Sequence, residues 1–379
     1  MTSSSGGPRR GPSLARTARR VFLAATGQNR GKTTTSLGLV AAIRARGLDV
    51  GFVKPVGQRY LVIDGTRADE DAVLMSEVFG MPDALNDMSP VTLPRGFTTD
   101  FIMGRVPDDL EALIREADAR VGREKDVVVF EGTGHAGVGA VVGVSNARVA
   151  AMLDAPVIVV SEGGIGRPID EIVLNRALFE AHGARVLGAV VNKVDIESHP
   201  GLPDVLARGL AQHGVELLGC IPYSELLANP SLELIATHLD GELLAGEATP
   251  GSIIGWTAIG AMQATHAVEF LRERTLLITP GDREDLLLAA VEVNRISAPV
   301  TRVIGVVLTG GFRPAGHVLD ALRRAGIFSY LVGTDTYRTA QAVDEILVKT
   351  HASDTEKIAT IIDLVNGSLD VDSLLARLA

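Results

Sequence analysis

Short apolar runs alternate with amphipathic stretches along most of the chain. The runs over 21–25, 49–54, 126–130, 156–160, 186–191 and 215–221 have strand length and read as fully buried strands. Between them, residues 31–46, 68–79, 108–121, 146–153, 170–182 and 204–213 repeat apolar positions at helical spacing, and Gly183 supplies a stop after the fifth. Strands that alternate with helices predict right-handed crossovers and a parallel sheet covered on both faces. From about Pro222 the pattern changes. Strands are predicted at 243–244, 276–279, 303–308 and 328–332, and helices over 232–239, 265–272, 282–291, 315–325, 336–346 and beyond Asp354, with a turn-rich stretch at 246–255. The division that follows is a tail over 1–20, an α/β domain over 21–221, a smaller α/β domain over 222–350 and a helical segment over 351–379.

Composition narrows the classes without naming one. The 379 residues are 46% hydrophobic and 22% charged, enough apolar surface for two cores. No run approaches the length of a membrane span, and a net charge of -10 argues against broad nucleic-acid binding. One cysteine, Cys220, leaves no internal disulfide and no multi-cysteine metal site. A reducing cytoplasm is the simplest compartment. The first twenty residues are rich in Ser, Gly, Pro and Arg and hold no acid, which predicts a solvated basic tail.

The candidate chemistry sits where strands end. The first runs straight into Thr26-Gly27-Gln28-Asn29-Arg30-Gly31-Lys32-Thr33-Thr34. A loop feeding a helix start aims several backbone N–H groups at one point, and the helix dipole favours an anion there. Lys32 supplies a charge for the outer phosphates of a nucleotide and Thr33 a hydroxyl for Mg2+. Thr26 stands where the usual phosphate-loop pattern has its first glycine. Ligands of open parallel sheets bind beyond the strands' carboxyl ends, and there lie Lys54, Glu131, Gly163 and Asn192-Lys193. Glu131 and Asp71 are candidate Mg2+ ligands, although Asp71 reads equally well as an acid at a helix start and Lys54 as a solvated strand exit. Asn192-Lys-Val-Asp195 has the form of a guanine-reading element, for which a capping Asp195 is the plain alternative. His135 fits a phosphate contact or an ordinary loop residue. Asp282, Arg283 and Asp285 are accounted for by a capped helix start.

The loop with Phe52-Val-Lys-Pro-Val56, Asp69-Glu-Asp71 and Glu131-Gly-Thr-Gly134 resembles the dethiobiotin synthetase family of P-loop proteins. A closer resemblance is to the dethiobiotin-synthetase-like amino-terminal domain of long phosphate acetyltransferases, through Lys54-Pro-Val-Gly-Gln-Arg59, Glu131–Gly137, Ser145-Asn-Ala-Arg148 and Gly164–Asp170. The second half resembles the DRTGG domain that follows it there, through Gly219–Pro222, Gly260-Ala-Met262, Ile278–Asp285, Leu308-Thr-Gly-Gly311 and Thr334-Asp-Thr-Tyr337. Val307-Leu308 replace the Asp-Arg of the name-giving motif.

The resemblance implies a P-loop sheet followed by a DRTGG domain, with ATP and Mg2+ as cofactors and GTP less expected. It implies that Lys32, Thr33, Asp71 and Glu131 arrange Mg2+ and phosphates, that Lys54 partners a reacting oxyanion, and that Asn192 contacts adenine. The acetyl-transferring domain is absent from these residues, so the expected role is regulatory or sensory, with a small metabolite, a second copy of the chain or a protein of acetate metabolism as partner. The alternatives are an ATP-dependent synthetase that activates a small carboxylate and a GTPase-like switch. Gly57-Gln-Arg59 replaces the small polar substrate-binding residues of true dethiobiotin synthetases. Cys220 ends an apolar strand, which argues against the glutamine hydrolysis of related amidases.

Overall fold

The computed structural model describes residues 18–248, 252–297, 300, 302–346 and 348–378. The basic tail expected over 1–20 lies outside them up to Thr17, whereas Arg19 and Arg20 already pair with Val127 and Val128 as part of the first strand. The described residues divide into two compact units, 18–223 with 361–378, and those within 224–360. Residues 361–378 thus join the first unit, where the sequence pattern sets 351–379 apart.

The first unit is built on strands β1 (Arg19–Ala25), β2 (Val50–Val53), β3 (Val127–Glu131), β4 (Val157–Glu162), β5 (Val186–Val194) and β6 (Leu217–Pro222). They lie in the order β6-β5-β4-β1-β3-β2, all parallel. The principal helices are α1 (Lys32–Ala45), α2 (Glu70–Phe79), α3 (Leu110–Val121), α4 (Asn146–Met152), α5 (Gly166–Ala181) and α6 (Leu202–Gln212). Because successive side chains of a strand alternate faces, Phe22 and Ala24 of β1 point together with Phe130, Val159 and Val191 into a core closed by α3, α4, α5 and α6. The opposite face, with Val21 and Leu23, is covered by α1, whose Leu37, Val40 and Ile43 are buried. A parallel sheet wrapped on both sides must be apolar where it is covered, and Val21–Ala25 of β1, Val127–Phe130 of β3 and Val157–Val160 of β4 are.

The helix predicted over 68–79 begins later. Residues 66–69 form a hairpin strand against Tyr60–Ile63, and α2 starts at Glu70 because Asp69 caps it, accepting from the Asp71 N–H. The hairpin is short, and Leu61 and Val62 of its apolar strand are exposed while Ala68 and Asp69 of the other are buried, so no alternation of buried and exposed positions marks it.

The second unit holds β7 (Gly241–Ala245), β8 (Trp256–Ile259), β9 (Thr275–Pro280), β10 (Val303–Thr309) and β11 (Phe328–Val332), ordered β7-β11-β10-β9-β8 with β7 antiparallel. One face packs Leu276, Ile278, Val307 and Phe328 against Leu232, Ile235 and Val343. The other packs Leu277, Val306 and Leu308 against Leu287, Val318 and Leu322. Strand β8 has no sequence forecast. It is an edge strand in which Ala258 alone is buried, and Trp256 is exposed, with the Arg272 guanidinium 4.0 Å from its ring centroid. The helix predicted over 265–272 is a single turn, Ala264–Ala267, and a tight turn over Val268–Phe270, after which Leu271 is extended. Among the described residues, no helix is long and apolar enough to cross a membrane.

Candidate functional site

Strand β1 delivers the chain into the loop at the carboxyl edge of the sheet, and the loop is held from three sides. Thr26 N–H donates to the Val160 carbonyl at 2.9 Å, and its hydroxyl pairs with that of Ser161 at 3.1 Å. Arg30 forms an ion pair with Glu162 and lies 3.7 Å from Glu171. Lys193 Nζ donates to the Asn29 carbonyl at 3.1 Å. Gly31 has φ +92°, and a Cβ there would fall 1.8 Å from Asn192 Nδ2, so this position requires glycine both for conformation and for space. The Asn192 side chain therefore lies under the loop and donates to the Arg30 carbonyl at 3.4 Å. Gln28 and Asn29 are exposed, while Gly27 and Thr34 are half-buried.

At the start of α1, Thr33 Oγ1 lies 3.1 Å from both Asp71 Oδ1 and Glu131 Oε1. Lys54, at the exit of β2 and only 4% exposed, donates to Asp71 Oδ2 and, at 3.0 Å, to Glu131 Oε1, with Asp69 Oδ1 at 4.0 Å. Lys54 is thus no solvated strand exit, and Asp71 faces inward at the start of α2. Lys32 Nζ folds back to the Gly27 carbonyl at 3.4 Å. Two lysines and three carboxylates share the space beyond β1, β2 and β3.

Burial and pairing pull these groups apart. Burial and neighbouring Lys54 draw the Lys32 pKa down to about 8. Burial also works against the charge on Lys54, yet Asp71, Glu131 and Asp69 outweigh it and hold the ammonium protonated well beyond the ordinary lysine range. Burial raises Glu131 against the pull of Lys54. For Asp71, Lys54 and Thr33 overcome burial and bring the pKa down to about 2. Asp69, the cap of α2, goes the other way: burial lifts it to about 7 against Lys54.

The two aspartates therefore act in separate pH windows. Asp71 contributes stability above about pH 4 that fades as pH falls toward 2, whereas Asp69 contributes stability below about pH 4 that is lost as pH rises through 7. Asp69→Asn keeps an acceptor for the Asp71 N–H and removes the titration. Its melting temperature should exceed that of the native protein at about pH 8, by a margin that closes toward pH 4. Thermal melts across that range check this, and a margin that stays constant with pH defeats it.

The turn after Glu131 is fixed by two buried asparagines. Asn146 accepts from the Thr133 N–H and donates to the Thr133 and His135 carbonyls at 2.8 and 2.7 Å, and Asn175 accepts from Ala136 N–H at 2.7 Å. Gly132 allows this approach, since a Cβ there would meet Asn146 Oδ1 at 2.6 Å. His135 is exposed. Asp195 is exposed and accepts from Ser198 N–H at 3.0 Å, the local capping role. Asp69 and Asn146, which the sequence shows only within longer motifs, and Asn175 are thus part of this edge with no role legible for them in the sequence. A buried cap two residues before Asp71 and asparagines on otherwise apolar helix faces are the signals that carry them.

A family model for the AAA domain matches residues 19–231, and one for the DRTGG domain matches 234–346. The phosphate acetyltransferase of Nitrosomonas europaea is 28% identical over 371 residues, which cover 94% of this chain and 51% of its own. That of Pseudomonas putida is 31% identical over 373 residues, covering 92% and 50%. The chain spans about half the length of these curated relatives. The septum site-determining protein MinD of Pyrococcus horikoshii, solved with Mg-ADP, aligns at 17% identity over 55% of this chain and 83% of its own, with a TM-score of 0.35, too low to argue from. The AAA-domain match takes in more than half of the chain, so the protein belongs to that P-loop family, with a DRTGG domain following, and is related to the amino-terminal region of phosphate acetyltransferases.

Proposed function

We propose that this edge binds ATP with Mg2+ and that binding serves a regulatory or sensory role. One observation carries the reading: Lys32, Thr33, Lys54, Asp71 and Glu131, from separate segments of the chain, converge beside a glycine-built loop at a helix start. The loop from Thr26 to Thr34 would cradle the phosphates and Lys32 would reach the outer ones. Mg2+ prefers few protein ligands and keeps several waters or phosphate oxygens, and Thr33, Asp71 and Glu131 suit that habit. Among the described residues no group of three or more His, Cys, Asp or Glu is arranged to hold a metal unaided, which fits a cation shared with phosphate. The donor set also has room for it, since Glu131 Oε2 is buried without a well-formed hydrogen bond.

ATP is favoured over GTP because Asp195, the residue that would read guanine, accepts the Ser198 N–H in its own turn. Bound nucleotide would supply negative charge that the two lysines can meet, and a transferable phosphoryl group. A second reading, ATP-dependent activation of a small carboxylate, is favoured by Lys54, a buried ammonium that can face an oxyanion. The DRTGG domain would then sense a metabolite or mediate self-association, in the cytoplasm and in company with acetate metabolism.

A thermal-shift panel of ATP, GTP, CTP and their diphosphates with Mg2+ tests this, because mass action converts affinity for the native state into a shift. ATP should give the largest shift. Equal or larger shifts with GTP would restore the switch reading, and no shift with any nucleotide would remove the proposal. ADP release that rises with one member of a carboxylate panel would favour the synthetase.

A further inference from the structure

The oxygens that face one another across this edge are already occupied by a cation, and that cation is Lys54. Its ammonium donates to Asp71 Oδ2 and Glu131 Oε1, the two carboxylates flanking Thr33 Oγ1. We infer that Lys54 holds the place of the divalent metal, so that the metal enters only together with a nucleotide phosphate. The inference rests on the ATP–Mg2+ reading of these residues.

Three features carry it. Lys54 is 4% exposed and Glu131 fully buried, so a dication cannot displace the ammonium into water without uncovering buried carboxylates. Lys32 and Lys54 face Asp69, Asp71 and Glu131, which leaves one excess negative charge, and a dication added to that set would overshoot neutrality and meet an ammonium at contact distance. A nucleotide changes the balance, because its phosphates give Lys54 a new partner while the metal takes the carboxylate oxygens. Glu131 Oε2, sealed inside the cluster without a well-formed hydrogen bond, is an acceptor that the lysine does not use. Lys54 is on this account a positioning residue that keeps the carboxylates ordered and sets the order of arrival.

The test uses Mn2+ titrated into the full chain without nucleotide and followed by electron paramagnetic resonance, for the native protein and for Lys54→Met. Lys54→Met should bind Mn2+ at least ~tenfold more tightly than the native protein, which should take up the ion only when ATP is added. Lys54→Met leaves buried carboxylates unpaired and can fold poorly. The double variant Lys54→Met/Asp69→Asn removes one positive and one negative charge, retains the native excess, and should show the same gain. Native protein that binds Mn2+ alone as tightly as the variants, or variants that gain nothing, would overturn the inference. Failure of ATP to bind the native protein in any condition would sink the ATP reading, while the nucleotide-free comparison still decides the role of Lys54.

Discussion

Lys32→Ala is expected to weaken ATP binding by about 2–5 kcal/mol, roughly a 30- to 4,000-fold loss, and to abolish the thermal shift at ordinary nucleotide concentrations. The magnitude follows from where the ammonium is. Lys32 is 8% exposed, and among the described residues it forms no ion pair, its hydrogen bond being to the Gly27 carbonyl at 3.4 Å. Burial and the adjacent Lys54 already disfavour its charge, drawing its pKa to about 8. It is therefore a buried cation short of a partner, and a phosphate supplies one. The same facts predict what happens without nucleotide: removing Lys32 relieves its burial and its repulsion with Lys54, which together outweigh the lost attraction to Glu131, Asp71 and Asp69, and breaks no ion pair. The variant should melt at or above the native temperature in the absence of ligand. That separates loss of binding from loss of fold. An unchanged ATP affinity by calorimetry would mean that this loop is not the phosphate site.

How much of this edge is legible in sequence depends on what a residue does there. Lys54 and Glu131 each end an apolar run, so the end of a buried strand marks them, and Lys32 is marked by the glycine loop that follows Ala25. Their convergence follows from parallel topology, which places all such ends on one edge. Asp69 is hidden because residues 68 and 69 extend the helical spacing of α2 backwards, while the chain uses them to close a hairpin. Asn146 and Asn175 are hidden for another reason. A polar residue in an amphipathic helix reads as its wet face, and only the packed structure shows both buried against the turn after Glu131. In the second unit the three central strands are visible as apolar runs. Strand β8 is not, since an edge strand that buries Ala258 alone leaves no alternation to read. The placement of 361–378 could not be read either, because a helical repeat shows that a face is buried but not against what.

That placement leads to the second large effect. The principal helices after α6 are α7 (Leu232–His238), α8 (Glu284–Ser297), α9 (Gly316–Arg324), α10 (Thr336–Asp344), α11 (Thr355–Ser368) and α12 (Val371–Ala376), and α12 with residues 361–368 of α11 belongs to the first unit. Val365 of α11 is fully buried and packs onto Gly38 of α1, where an added Cβ would come within 2.3 Å of the Val365 Cβ. Arg46, just past α1, is joined to Asp372 of α12 by a two-pronged hydrogen-bonded pair at 2.7 and 2.9 Å. In an open helix, glycine to alanine stabilises by about 1 kcal/mol. Here Gly38→Ala should instead destabilise by about 1–3 kcal/mol, since no rotamer relieves a Cβ–Cβ overlap and a backbone must move. The melting temperature should fall by roughly 2–4 °C per kcal/mol. Because α1 begins at Lys32 and Thr33, a shift of α1 should also weaken ATP binding. Val365→Ala leaves the offending Cβ in place and should not rescue. Gly38→Ala/Val365→Gly transfers the small position to the other helix and should recover part of the loss, beyond what the single variants add up to. A Gly38→Ala protein as stable as the native one, in denaturant melts, would show that 361–378 does not pack on α1, and the phosphate loop's helix would then lack the support argued for it.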